Sequence, residues 1–298
     1  AQGKLKLRSA AMTLRAGFVG LGSIGRPMAR RLRGAGLATT VYDLVPSAIE
    51  ELVAAGAAAA SSPRAVAAAS DVVGVCVRDD ADVQAVVLGD DGLLAGAAAG
   101  SVIAIHSTIL PRTVRELGAT ARARGVGLVD ACVTGGPTGA EQGRLTYMVG
   151  GDPADVERCR PVFASAARSI VETGALGTGA ATKLCNNLMT YLGFLAAFEA
   201  TTLARAAGLA TRAFEEVTRS NGNLTDQMQM FLMLHRLPDE QRREPGFQQM
   251  LRGYTTLAEK DLAVTLAFAR ELGLALPGTG LCQQLMARVY GLEDPNRR

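Results

Sequence analysis

Lys183 and Asn187 stand four residues apart in a stretch, residues 180–207, that holds no proline and a single glycine, Gly193. Read as a helix, that spacing puts an amine and a carboxamide on one face. An amine can exchange a proton with a reacting hydroxyl or carbonyl group, and a carboxamide beside it can hold the same oxygen. The surrounding residues are largely apolar, an unusual setting for lysine unless its stem snorkels to water or its amine works. The pair alone leaves both readings open.

Two glycine-bearing turns lie upstream. After Asp130-Ala131-Cys132-Val133, the residues Thr134, Gly135 and Gly136 offer a hydroxyl and open backbone amides. Such a turn can cradle a carboxylate, and it can equally be a plain turn. The earlier one, Gly20-Leu21-Gly22-Ser23-Ile24-Gly25, follows an apolar run and precedes an amphipathic one, the context in which G-x-G-x-x-G binds a dinucleotide. Gly20 permits the tight turn, Gly22 the approach of a pyrophosphate, and Gly25 close packing of helix on strand. Asp43 ends the next apolar run at the distance where an acid meets the ribose hydroxyls. Its charge repels a 2′-phosphate, and Leu44 and Val45 follow it rather than an arginine. A structural turn with a helix-capping aspartate is the alternative. The fingerprint favours a dinucleotide, and NAD over NADP. Beside a cofactor cation and out of water, the neutral amine needed for proton transfer is favoured.

These groups need elements to position them. Residues 17–20, 39–43, 71–77, 102–105 and 128–133 read as buried strands, with further strand-like segments at 146–149 and 169–172. Residues 27–35, 46–55 and 111–124 read as helices, with Pro27, Pro46 and Pro111 in their first turns. Residues 57–60 read as helix or loop filler. Beyond Gly174 the pattern is helical, broken by a polar stretch at 237–246 that reads as an exposed loop. The expected fold is α/β: an N-terminal doubly wound parallel sheet of the Rossmann type, then an all-helical C-terminal domain built on one long central helix. The expected division is an N-terminal extension or expression remnant at 1–14, with Met12 a plausible native start, a dinucleotide-binding domain at 15–175, and a substrate and oligomerisation domain at 176–298.

Composition narrows the classes. The chain has 298 residues, 48% hydrophobic and 20% charged, with a net charge of +3. That suits a globular enzyme and gives no reason to expect nucleic acid. Without tryptophan and with 4% aromatics, base-stacking platforms are not expected. No apolar run is long enough to imply a membrane span. The five cysteines form no C-x-x-C and read as buried thiols in a reducing cytoplasm. The only histidines, His106 and His235, lack metal-ligand spacing, so no metal is expected. His106 reads as a strand-end residue near the cofactor, and His235 as a surface or packing residue.

Several motifs occur in order: GLGSIGRPMARRL, HST at 106–108, DACVTGGPTGA followed by GRLTYMVGGD, GAATKLCNN, and EKDL at 259–262. From about Arg15 to Tyr290 the chain resembles the β-hydroxyacid dehydrogenase family, which includes 3-hydroxyisobutyrate dehydrogenases and tartronate semialdehyde reductases. The resemblance implies that Lys183 is the general acid/base, Asn187 its partner, and Thr134, Gly135 and Gly136 the substrate-carboxylate loop. It places Val77 in a loop against the cofactor, Thr108 near the nicotinamide ribose, and Lys260 on the cofactor, with Asp261 structural. It implies a small carboxylate substrate and a homodimer or homotetramer. The family's L-P or V-P is Val77-Arg78 here, its D-A-P-V has Cys132, and its serine is Thr134. These departures bear on the substrate. Arg78 could recognise an acidic substrate or extend into water, with water favoured. An NADP-dependent reductase of short semialdehydes (tartronate, succinic or glyoxylate) and a non-catalytic NAD-binding protein are the alternatives. A phosphogluconate enzyme fits less well, since Leu184 stands where that family has histidine after its lysine, and imine reductases generally lack the lysine that Lys183 supplies.

Overall fold

The runs Val72–Val75 and Val102–Ile105 are buried at every position, so both of their faces must be covered. That is the signature of inner strands in a sheet clothed by helices on both sides. The computed structural model describes residues 14–294. The expected extension at 1–14 lies, but for Leu14, outside the described residues.

From the start, β1 (Arg15–Val19) leads through the glycine turn into α1 (Gly25–Gly34). There follow β2 (Ala38–Tyr42), α2 (Pro46–Ala54), β3 (Ala58–Ala59), α3 (Pro63–Ala68), β4 (Val72–Val75), α4 (Asp80–Leu88), α5 (Leu93–Gly96), β5 (Val102–Ile105) and α6 (Pro111–Arg122). The sheet is completed by β6 (Gly127–Thr134), α7 (Gly136–Glu141), β7 (Leu145–Gly150), α8 (Pro153–Ala164) and β8 (Ala167–Gly174). Then come α9 (Thr178–Ala206), α10 (Thr211–Ser220), α11 (Asp226–Met233), a 3₁₀ turn at Leu234–Arg236, α12 (Asp239–Arg242), α13 (Pro245–Glu271) and α14 (Pro277–Tyr290). Pro46, Pro63, Pro111, Pro153, Pro245 and Pro277 each open a helix, where proline's missing N–H has no intrahelical partner to lose and its fixed φ suits the turn.

The strand order is β3-β2-β1-β4-β5-β6-β7-β8. It reverses direction between β1 and β4, the topological switch point at which open α/β sheets bind ligands. The sheet is parallel except where β7 runs against β6. The doubly wound parallel sheet expected from the sequence is present, with this one antiparallel pair added. Residues 135–144 are fewer than the dozen or more that a parallel crossover needs, so the chain returns antiparallel. Two expectations fail. Ala58–Ala59 pairs with β2 as a short edge strand, since backbone pairing asks nothing of an alanine side chain. The polar stretch 237–246 is not a loop: Asp239 and Glu240 lie in the first turn of α12, where acids are favoured, and Pro245 opens α13.

The register aligns one row of residues across the sheet: Tyr42, Val19, Val75, Ile105, Asp130, Gly150 and Gly174. In β2, β1, β4 and β5 this row is the last residue of the strand. β6 continues past it through Ala131–Thr134, paired there with β7. One face of the sheet packs Phe18, Leu32, Leu52, Tyr147 and Phe163. The other packs Val66, Val83, Ile103, Val114 and Leu117.

The chain forms two compact units that divide between Lys183 and Leu184, inside α9. The second unit has its own core, in which Phe194 stacks on Phe231 with ring centroids 4.5 Å apart and both meet Tyr290 edge-on. Among the described residues no helix is long and apolar enough to cross a membrane.

Candidate active site

The glycine turn leaves β1 at the switch point. Gly20 has φ +92°, and a Cβ there would stand 2.3 Å from the Cys76 carbonyl oxygen. A Cβ on Gly25 would stand 1.9 Å from the Gly20 carbonyl, so only glycine lets α1 begin this close to the strand it follows. Gly22 is exposed and a Cβ there meets nothing within 4 Å, which leaves its backbone open to a ligand. Leu21 and Gly25 are buried, Ser23 is exposed and Ile24 is half-buried. Asp43 closes the turn: its carboxylate accepts from Leu21 N at 2.5 Å and from Val45 N at 2.8 Å. The next residue, Leu44, is 84% exposed. An open backbone, a carboxylate at the end of β2 and an exposed apolar residue beside it fit a dinucleotide.

The loops after β4 and β5 are tied together. Val77 N donates to Ser107 Oγ at 2.8 Å, which joins the loop that lacks the family's proline to the Ser107-Thr108 pair. Thr108 is half-buried. Arg78 turns away from this junction: its side chain is 82% exposed and makes two bonds to Asp82, four residues on.

His106 follows the last residue of β5, a strand-end position as expected. It is a core residue. Its ring stacks on Phe18 at 5.7 Å and meets Tyr147 and Phe163 edge-on. Its Nδ1 lies 2.7 Å from the carbonyl oxygen of Ala131, so Nδ1 carries the hydrogen and donates it. β5 pairs with β6 only as far as Asp130, and the imidazole takes up the next carbonyl. Burial pushes its pKa down to about 4, against the opposing effect of that bond, so the ring is neutral. His235 is half-buried against Phe198 and Phe231.

At the end of β6, Thr134 is half-buried while Gly135 and Gly136 are exposed, with φ of +126° and +66°. Both lie in the left-handed region that glycine reaches without strain. Four residues upstream, Asp130 is fully buried, and sequence reading assigned it no role. Its Oδ1 accepts from Gly177 N at 2.8 Å and its Oδ2 from Ala180 N at 2.6 Å. The carboxylate thereby takes two N–H groups at the start of α9 that have no intrahelical partner. Lys183 follows three residues later and is half-buried. The D-x-x-V run contains Asp130, but its partners lie 47 and 50 residues away, so no local signal marks the contact.

In the second unit, Asn187 is buried and its Nδ2 donates to Asp261 Oδ2 at 2.7 Å. Tyr191 donates to the same oxygen at 3.2 Å, and Lys260 Nζ stands 2.7 Å from Asp261 Oδ1. Burial raises the Tyr191 hydroxyl well above its ordinary range, and the Asp261 charge adds to this, so it remains a donor. Asp261 therefore orients Asn187.

A family model described as the NAD binding domain of 6-phosphogluconate dehydrogenase matches residues 15–174. Another, described as NAD-binding of NADP-dependent 3-hydroxyisobutyrate dehydrogenase, matches residues 177–295. The chain is 33% identical to the 3-hydroxyisobutyrate dehydrogenase of Pseudomonas aeruginosa, over 91% of this chain and 90% of that one. It is 43% identical to the NAD-dependent L-serine dehydrogenase of the same organism, over 69% of this chain and 70% of that one. The solved structure of Mycobacterium tuberculosis 3-hydroxyisobutyrate dehydrogenase with L-serine matches at a TM-score of 0.81 and 29% identity, over 94% of each chain. With the glycine turn, the Ser107-Thr108 pair, the Thr134–Gly136 turn and the lysine helix in place, the chain belongs to the β-hydroxyacid dehydrogenase family of NAD(P)-dependent oxidoreductases.

Proposed function

We propose that the protein oxidises a small β-hydroxyacid with NAD, or reduces the matching semialdehyde with NADH, using Lys183 as general acid/base. The observation that carries this reading is a shared strand. β6 bonds the start of the lysine helix through Asp130 and ends four residues later at the Thr134–Gly136 turn. The Thr134 hydroxyl and the amides of Gly135 and Gly136 receive the substrate carboxylate. Lys183, as neutral amine, takes the proton of the substrate hydroxyl, and its ammonium form returns it in the reverse direction. Asn187, one helical turn on, holds the same oxygen. A bound nicotinamide dinucleotide, seated by the Gly20–Gly25 turn, Asp43, Val77 and Thr108, supplies the hydride chemistry. The chain's own contribution is position and electrostatics.

NAD is favoured because the Asp43 carboxylate faces the turn and an exposed leucine follows it. An NADP-dependent reductase of short semialdehydes is the second reading, and the description of the family matched by residues 177–295 favours it. The relatives named for L-serine and 3-hydroxyisobutyrate support the substrate class. Residues 15–175 serve as the cofactor domain and 176–298 as the substrate and oligomerisation domain. A homodimer or homotetramer is supported by exposed apolar side chains such as Met189 and Leu203, at 73% and 72%. Five free thiols support a cytoplasmic setting.

The test is absorbance in the NADH band with NAD and a panel of L-serine, 3-hydroxyisobutyrate, glycerate and 4-hydroxybutyrate, with NADP alongside. Lys183→Ala is expected to lower turnover roughly 100- to 10,000-fold. Near-normal turnover in that variant defeats the reading.

A further inference from the structure

Asp130 is a buried charge for which the proposed chemistry has no use. It stands in the row that ends β1, β4 and β5, with no exposure to solvent. Burial pushes its carboxyl above the usual range, and the backbone N–H groups of Gly177 and Ala180 oppose that. An apolar side chain would fill the same place in the strand without the cost of taking a charge out of water. The surroundings are shaped to the carboxylate. A Cβ on Gly150 would stand 2.7 Å from Oδ1, and one on Gly179 would stand 3.0 Å from Oδ2.

Two bonds differ from one in what they fix. A helix start held by one hydrogen bond still swings about it. Here the two oxygens of one planar group hold amides three residues apart, which fixes both the height and the rotation of the first turn of α9. Ala180 precedes Lys183 by three residues, about 4.5 Å along the axis. A shift of the first turn therefore reaches the lysine nearly undiminished. β6 also leads directly to the Thr134–Gly136 turn, so one strand sets both.

We infer that Asp130 is a positioning residue for Lys183, holding the start of α9 in the register that points the amine at the reacting oxygen. This rests on the reading that Lys183 transfers the proton. A misplacement of the amine by about 1 Å lowers turnover by up to roughly 100-fold.

The test is Asp130→Asn, which keeps the volume but turns one acceptor oxygen into a donor, with Asp130→Ser as a second variant and Lys183→Ala in parallel. The expected result with NAD and L-serine or 3-hydroxyisobutyrate is a kcat lowered about 10- to 100-fold. KM for NAD and the fluorescence titration of NADH should stay within about twofold, because the glycine turn is untouched. Asp130→Asn added to Lys183→Ala should lower the residual rate no further, which a merely structural role would not produce. A readout free of turnover is competitive acetylation mapped by mass spectrometry. The chain has only four lysines, Lys4, Lys6, Lys183 and Lys260. Lys183 should label several-fold faster in Asp130→Asn, with Lys260 unchanged.

Wild-type kcat and labelling in Asp130→Asn, with Lys183→Ala inactive, overturns this inference and leaves the functional reading intact. Loss of folded protein in both Asp130 variants also overturns it, since the carboxylate then serves the fold as a whole. Normal turnover in Lys183→Ala overturns both.

Discussion

Asn187 on α9 donates to Asp261 on α13 across 2.7 Å, with both side chains buried. A carboxylate can only accept, so this bond decides which end of the amide is nitrogen. Asn186 donates to the Asn187 oxygen at 3.2 Å, so in the proposed function the second N–H of Asn187 is the one that would meet a substrate oxygen. Asp261→Asn removes the charge and lets the amide turn over. The expected outcome is roughly 2–3 kcal/mol less stability, from lost hydrogen bonds to a buried charge. kcat should fall. Denaturant unfolding and steady-state kinetics on one preparation check both parts.

Cofactor choice should follow Asp43 and Leu44. Asp43→Ser with Leu44→Arg removes the charge that repels a 2′-phosphate and adds one that attracts it. The ratio of kcat/KM for NAD to that for NADP should fall by at least about tenfold, equivalent to about 1.4 kcal/mol. An unchanged ratio would mean that the selecting residues lie elsewhere on the turn.

Gly25→Ala forces a Cβ to within 1.9 Å of the Gly20 carbonyl. Backbone has to move at the start of α1, at a cost of about 1–3 kcal/mol or more. NADH should no longer enhance its fluorescence on addition of the variant. Ser23→Ala, on an exposed position of the same turn, should bind NADH with little change and serves as the control.

Acid stability should carry the mark of His106. Its folded pKa, about 4, lies below the ordinary 6.5, so between these values the unfolded chain binds a proton that the folded protein does not. Stability from the neutral ring is complete above pH 6.5 and lost as pH falls toward 4, up to about 3 kcal/mol. Urea unfolding at pH 7, 5.5 and 4.5 should show the decline, and His106→Gln should flatten it. An identical decline in the variant would place the acid sensitivity in other groups.

The parts of this molecule that could be read in sequence are those whose partners are close in the chain. The Gly20–Gly25 turn gives itself away because three glycines at fixed offsets do one local job. β4 and β5 show as VVGV and VIAI because burial on both faces leaves no room for alternation. Helical spacing places Lys183 and Asn187 on one face, while the roles proposed for them come from the ordered motifs around them. The orientation of β7 depends on the short connection after Thr134, which apolar periodicity does not encode. Asp261 is 74 residues from Asn187, and Asp130 is 47 and 50 residues from the amides it holds. His106 is legible as a strand-end residue, but its place in an aromatic cluster is not, because Phe18, Tyr147 and Phe163 are distant in the chain.

The overhang of β6 past the aligned row has a bearing on how such a chain can change. Ala131–Thr134, its β7 partners Thr146–Val149 and the β8 residues Ser169–Glu172 paired with those form a three-stranded arm, and at about 3.3 Å per residue the arm carries the Thr134 turn roughly 13 Å beyond Asp130. Side chains alternate along it, so losing or gaining one residue per strand would exchange its inner and outer faces. The arm is in effect a ruler with a two-residue graduation. A change in its reach preserves the faces only in steps of about 7 Å, too coarse to tune the fit of a small molecule. If the tip receives the substrate as proposed, finer adjustment is left to the identity of single residues there, such as Thr134.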